Sequence, residues 1–334
     1  MMFINPKTDF AFKKIFGSER STGILISFLN GILYAGDAII QDLIILDPYQ
    51  APRILGIKSS YLDIKAKLNN GSWVIIEMQI LNIEGFEKRV LYNATKTYSA
   101  QLNKGDEYTV LSPVIALTIT DFKMFDDIDR PISRFVLKEK QSSVEYPASD
   151  LELVFIELPK FETALADLET LADKWIYFLK NAKDLTIVPE SMGAIEEIRQ
   201  AFDIVNKAGL SREELDLVER QWIYLQDQRG AITYAVNKGI EQGIKQGKAE
   251  GKAEGKAEGK AEGKAEGKAE GKAEGIEQGI EQGIEQGIEQ GIEQGRQAMQ
   301  RSIAQQLLST LDDSMISQAT GLSLEDIRSL RTEI

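Results

Sequence analysis

The sequence predicts an α/β domain, followed by a helical region and an arm of glycine-spaced tetrapeptides. Three observations carry this prediction: a strand-turn-strand signature over residues 60–80, amphipathic helical stripes on either side of it, and a glycine at every fourth position from Gly239 to Gly295. The repeats run as GIEQ and GIKQ, then seven GKAE units from Gly247, then five GIEQ units from Gly275. They divide the chain into a globular part at 1–236, an arm at 237–296 and a short helical tail at 297–334.

Residues 6–34 carry a helical stripe of Phe10, Ile15, Phe16, Ile24, Leu25 and Phe28. A β-rich run follows from Ile39 to Leu46 and is stopped by Asp47-Pro48. Ser60 to Leu68 and Ser72 to Ile80 then flank Asn69-Asn70-Gly71, a hairpin loop whose glycine suits a positive φ. Residues 84–104 have helical spacing and end at Gly105, and Pro113 to Thr120 reads as a strand buried on both faces. The order is helix, strand, strand, strand, helix, strand. Further helix is expected from Glu162 to Lys180 and on to Tyr234, packed through Trp175, Ile176, Phe178, Leu179, Trp222 and Leu225.

Composition narrows the chemistry. At 334 residues and 43% hydrophobic, the chain can bury a sizeable core. No apolar run of about 18 residues is present, and the opening MMFINPKTDF lacks the features of a secretion signal, so a cytoplasmic protein with no membrane partner is expected. Cysteine and histidine are both absent. Disulfides, thiolate zinc sites, cysteine nucleophiles and Ser-His-Asp machinery are thereby excluded. What remains is carboxylate, Lys, Tyr and Ser chemistry, the set that oxygen-ligated Mg²⁺ uses.

The formal charge is −13, unevenly spread. Residues 1–140 hold 17 basic against 16 acidic side chains, and the rest of the chain holds 22 against 36. A local basic groove in the front part is therefore compatible with the overall acidity.

The residues that concentrate chemistry lie on the hairpin. Side chains alternate along a strand, so Tyr61, Asp63, Lys65 and Lys67 share one face, and Trp73, Ile75, Glu77 and Gln79 share another. With Asn69-Asn70-Gly71 as the loop, Leu68 faces Ser72 and Asp63 faces Glu77. Opposed Cβ atoms lie about 4.5–5.5 Å apart, close enough for two carboxylates to share a divalent cation. Like charges so placed repel, and a metal resolves the conflict. The alternative is that both acids lie on a solvated face. Against it, Val74, Ile75 and Ile76 make the Glu77 strand apolar on both sides, as in a central strand.

The helix after the hairpin carries Arg89, Tyr92, Asn93 and Lys96 at i, i+3, i+4 and i+7, a face that suits phosphate. In the first helix, Asp9 and Lys13 offer a further metal or phosphate contact, or a plain i, i+4 pair.

The spacing from Asp63 to Glu77-Met78-Gln79 resembles the metal motif of PD-(D/E)XK nucleases. Further stretches are similar to the Rpn family of recombination-promoting nucleases and transposases. They are TDFAFKKIFG from Thr8, LDIKAKL from Leu62, IIEMQI from Ile75, FEKRVLYNATKTYSAQL from Phe86 and GDEYTVLSPVIALTITDFKMF from Gly105. The resemblance implies a PD-(D/E)XK nuclease-like core, a mixed sheet flanked by helices, and Mg²⁺-dependent DNA cleavage in gene mobility or defence against foreign DNA. It implies Asp63 and Glu77 as metal ligands, Gln79 as the residue that orients water, and Arg89, Tyr92 and Lys96 as contacts to DNA. Two departures stand out: Leu62 replaces the motif's Pro, and Gln79 replaces the usual Lys. Glutamine carries no charge and cannot act as a base. Gln79→Lys is expected to keep or raise activity, and Lys65 offers an alternative source of charge. The runner-up reading is a decayed nuclease fold that serves as a self-assembling interaction module.

The fifteen glycines of the arm cost on the order of 10–15 kcal/mol in helix propensity. The arm is then either a flexible spacer or a helix held by close backbone contact along its glycine stripe. As one helix it would span about 85 Å, too long to fold back on the globular part. Cover from other copies of the chain is therefore expected, giving a homo-oligomer. In the tail, Ile316 to Leu330 suggests two short helices about Gly321 with Ser323 capping the second, a small packing module.

Overall fold

The computed structural model describes residues 2–50, 60–148, 150–265, 269–309 and 311–332. They divide into two compact units, Met1–Trp222 and Ile223–Ile334.

The first unit opens with α1 (Asp9–Phe16) and α2 (Thr22–Tyr34), followed by β1 (Leu43–Leu46), β2 (Tyr49–Gln50), β3 (Ser60–Tyr61), β4 (Ile64–Leu68), β5 (Trp73–Gln79), α3 (Phe86–Ser99) and β6 (Val114–Thr120). The expected order of elements holds in outline, with a short β2 added after Asp47-Pro48 and the strand expected from Ser60 to Leu68 broken into β3 and β4. Beyond it come β7 (Ile132–Phe135), β8 (Leu151–Glu157), α4 (Leu171–Asn181), α5 (Glu190–Gly193), α6 (Glu196–Val205) and the start of α7 (Arg212–Ala265).

Six strands form a mixed sheet in the order β1-β4-β5-β6-β8-β7, with β5, β6 and β8 parallel and the remaining pairs antiparallel. Strands β2 and β3 pair separately.

The β4–β5 hairpin has the register expected from its loop. Gly71 takes φ +90°, and Ile64 pairs with Ile76, Lys65 with Ile75, Ala66 with Val74 and Lys67 with Trp73. Strand β6 is buried along its whole length, as its apolar run requires.

The sheet is covered on both faces. On one, Ile64, Ala66, Val74, Ile76 and Leu117 pack in a core with Phe12, Phe16, Phe28, Trp175 and Phe202 from α1, α2, α4 and α6. On the other, Ile75, Ala116 and Phe155 meet Phe86, Val90 and Ala94 of α3. Burying a side chain of this size contributes about 1.5–3 kcal/mol, so the two cores fix α3 and α1 firmly against the sheet.

Three boundaries depart from the sequence reading. The first helical stretch is two helices, separated by Gly17 and a 3₁₀ turn at Glu19–Ser21. The run from Ile39 becomes a strand only at Leu43. Asn30 of α2 pins the link before it, donating to the Ile40 carbonyl at 2.8 Å and accepting the Ile40 N–H at 2.9 Å. Helix α3 closes at Ser99, short of Gly105.

In the second unit the arm doubles back. Helix α7 and helix α8 (Ala269–Leu307) bring their glycine stripes face to face, with Gly239 against Gly291, Gly243 against Gly287, Gly247 against Gly283 and Gly251 against Gly279. A Cβ built on Gly239, Gly243, Gly247, Gly251, Gly283, Gly287 or Gly291 would overlap the opposing backbone. The close backbone contact expected of the stripe is present, but its source differs. The stripe is filled from within the chain, since the glycines of α7 and α8 cover one another. The central GKAE residues 266–268 lie outside the described residues.

In the tail, α9 (Asp313–Thr320) and α10 (Leu324–Thr332) flank Gly321, and Ser323 Oγ accepts the Asp326 N–H at 3.1 Å as a cap. Ile316, Ile327 and Leu330 pack with Ala304 of α8 and Leu308 just after it, making the expected small module.

Candidate active site

Strand β5 lies between antiparallel β4 and parallel β6, and its carboxyl end is where side chains with chemistry gather. Such strand ends are the usual ligand sites of open α/β sheets. Alternation turns Val74, Ile76 and Met78 to the larger core, and Ile75, Glu77 and Gln79 toward α3. Glu77 thus enters a central strand and is only 8% exposed.

Asp63 sits one residue ahead of the β4 ladder, whose register carries it opposite Glu77. Its carboxylate turns to the end of the neighbouring strand, where Oδ2 accepts the Met78 N–H at 2.7 Å. That N–H lies beyond the last β4–β5 pair, so a side chain satisfies what the ladder leaves open. The side chain of Tyr61, expected on the same face, lies outside the described residues.

Helix α3 supplies the partners of Glu77. Asn93 Nδ2 donates to Glu77 Oε1 at 2.5 Å, and Arg89 Nη2 lies 3.8 Å from Oε2. The same Arg89 nitrogen donates to Gln79 Oε1 at 2.7 Å, while Gln79 Nε2 donates to the Leu81 carbonyl at 2.7 Å. The four-residue face read as suited to phosphate therefore divides. Arg89 and Asn93 turn inward, whereas Tyr92 remains exposed and Lys96 places Nζ 5.7 Å from the Tyr92 ring centroid.

From α1, Lys13 forms the expected pair with Asp9, Nζ to Oδ1 2.6 Å, and also lies 3.9 Å from Asp63 Oδ1. Lys65 is engaged elsewhere: its ammonium lies 5.0 Å from the Trp73 ring centroid, and Asp47 is the carboxylate that acts on it. It does not supply the missing motif charge.

The electrostatics follow from burial. Desolvation pushes the Asp63 carboxyl up to about 7, with the Glu77 and Asp9 charges adding to the rise and the Met78 N–H and Lys13 opposing it. Burial likewise raises Glu77 above the ordinary carboxylate range, against the lowering influence of Arg89 and Asn93. The cationic neighbours thus compensate incompletely for the desolvation of the two acids.

A divalent cation fits this donor set. All the groups are hard oxygens, and the Asn93 Oδ1 oxygen is buried without a hydrogen-bond partner on the side chain that grips Glu77. Among the described residues no cluster of three His, Cys, Asp or Glu is found. Magnesium is commonly held by one or two carboxylates, the rest of its shell coming from water and phosphate, so two acids suffice.

Two roles escaped the sequence reading. Asn93 shares the face that suits phosphate by spacing, although its position between Val90, Ala94 and Thr97, all buried, marks it as an inward polar residue. Lys7 donates to Asp121 Oδ1 at 2.8 Å in a largely buried pair, and the Asp121 N–H donates to the Gln79 carbonyl at 2.9 Å. That pair braces the strand ends that carry the site.

A six-stranded mixed sheet flanked by helices is consistent with a nuclease-like PD-(D/E)XK core. The model of the PD-(D/E)XK nuclease family transposases matches residues 6–235, and the chain belongs to that family. No curated protein and no solved structure gives a significant match. No helix among the described residues is long and apolar enough to cross a membrane.

Proposed function

We propose that this protein is a metal-dependent endonuclease that hydrolyses phosphodiester bonds of DNA, in DNA rearrangement or in the destruction of foreign DNA. The observation that carries this reading is the pair of carboxylates at the open end of β5, Glu77 buried and Asp63 half-buried, both raised by desolvation. Their charges are costly without a cation and useful with one. A divalent ion bound there supplies positive charge for the phosphate and acidifies water.

Asp63 and Glu77 hold that ion. The Met78 N–H fixes one Asp63 oxygen and leaves the other for coordination. Asn93 does the same for Glu77. Gln79 keeps one amide hydrogen and one lone pair beyond its two bonds, enough to orient a water molecule. Arg89 meets the scissile phosphate, and Tyr92 and Lys96, on the outer side of α3, take the neighbouring backbone. The partner is DNA; the glycine stripe, filled within the chain, gives no ground for joining copies through it.

A supercoiled plasmid incubated with the protein tests the reading. Nicking in Mg²⁺ that stops on chelation supports it, and intact plasmid across divalent ions refutes it in favour of a decayed, non-enzymatic fold.

A further inference from the structure

The motif position that usually carries Lys holds Gln79, which leaves the site without its ordinary cation. The structure shows what stands there instead. Arg89 Nη2 is 2.7 Å from Gln79 Oε1 and 3.8 Å from Glu77 Oε2, and its Cζ lies 5.0 Å from the Phe86 ring centroid. Its Nε–H is buried and has no hydrogen-bond partner. An unpaired buried donor is costly, about 1–3 kcal/mol, and such groups persist where a ligand completes them.

We infer that Arg89 is the cation of this site, taking the part of the motif lysine from the adjacent helix, and that Gln79 is the positioning residue that holds it. This rests on the nuclease reading given above. The guanidinium offers a fork of donors to a phosphate. In hydrolysis the water oxygen joins phosphorus, the bond to the leaving oxygen breaks, and one proton of the water ends on that oxygen. Arg89 moves no proton in this step. It stabilises charge gathering on the phosphate oxygens, the kind of contact whose loss costs about a hundred- to a thousandfold in rate.

The identity of residue 79 follows. Lysine has three donors and no acceptor, so it cannot receive the Arg89 N–H as Gln79 Oε1 does. It would also set a second positive charge against the guanidinium. The arrangement therefore reverses the expectation from the superfamily pattern: Gln79→Lys lowers activity. Exchanging both partners, Gln79→Lys with Arg89→Gln, moves the cation back onto the strand and restores an acceptor on the helix.

The test measures single-turnover plasmid nicking in Mg²⁺ by the wild type, the two single variants, the double variant and Arg89→Lys. Mn²⁺ affinity and thermal midpoint are measured for each. The inference expects Arg89→Gln to lose about a hundredfold or more, Arg89→Lys to lose less, and Gln79→Lys to lose about tenfold or more. The double variant should recover about tenfold over the weaker single, and Mn²⁺ affinity should stay within about threefold throughout. Gln79→Lys nicking at the wild-type rate, a double variant no better than the weaker single, or loss of Mn²⁺ affinity and folding in both Arg89 variants would each overturn it. A wild type that never nicks refutes the nuclease reading itself, and this assignment with it, whereas the other failures leave that reading intact.

Discussion

The Asp63 carboxylate accepts the backbone N–H of Met78 at 2.7 Å, which ties the residue ahead of β4 to the strand that carries Glu77 and Gln79. One hydrogen bond thus sets the spacing of two acids from different strands. Lys13 Nζ, 3.9 Å from the other carboxylate oxygen, offsets the desolvation of Asp63 only in part, and pH dependence follows.

Burial raises Asp63 from 3.8 to about 7. A carboxyl whose folded value lies above its unfolded value contributes stability that is full below about pH 4 and is lost as pH rises to about 7. The metal-free protein is therefore expected to melt higher near pH 5 than near pH 8 on account of this group, and Asp63→Asn should narrow the difference. A metal requires the ionised form. Added Mg²⁺ should raise the melting temperature far more near pH 8 than near pH 6, with affinity falling up to about tenfold per unit below 7. An Mg²⁺ shift independent of pH would contradict the raised carboxyl of Asp63.

Asn93 is the donor that Glu77 keeps inside the fold. Asn93→Ala leaves a buried acceptor unpaired at a cost of about 1–3 kcal/mol. Denaturant unfolding should show that loss, and Mn²⁺ binding at neutral pH should weaken as Glu77 becomes harder to ionise. Unchanged metal affinity in a folded variant would remove Asn93 from the site.

The arm makes a separate prediction. Gly243 faces the Gly287 carbonyl with no room for a side chain, so Gly243→Leu should part the two helices. The chain has no cysteine, which allows spin labels at Glu241→Cys and Glu289→Cys without background. The account expects a short, narrow distance, consistent with axes no more than about 8–10 Å apart, and a longer, broader one in the glycine variant. Light scattering at tens of micromolar should give a single chain. Removing two GKAE units shortens each leg by one unit and should leave the remaining glycines opposed. Identical distances in the variant would show that the stripe is not what joins the helices.

The β4–β5 hairpin was legible because two signals agree, the period-two pattern and the Asn69-Asn70-Gly71 loop, and together they set the register. Glu77 was legible because it interrupts apolar neighbours. Asn93 and Arg89 were not separable from Tyr92 and Lys96 by spacing alone, since i, i+3, i+4 and i+7 mark a face without saying which residues of it the sheet turns inward. Strands β7 and β8 went unread because one is a four-residue edge strand and both follow long polar connections. The folding back of the arm was hidden by its monotony. A repeat of identical units pairs equally well in many registers, so the pattern advertises contact without naming the partner.

The central claim is that Asp63 and Glu77 together hold a divalent ion. Titration of Mn²⁺ by electron paramagnetic resonance, on the wild type, Asp63→Ala and Glu77→Ala, tests it most directly. The account predicts one site in the wild type near pH 8, and at least about a tenfold loss of affinity in each folded variant. Wild-type affinity in both variants would place the ion elsewhere and contradict the assignment.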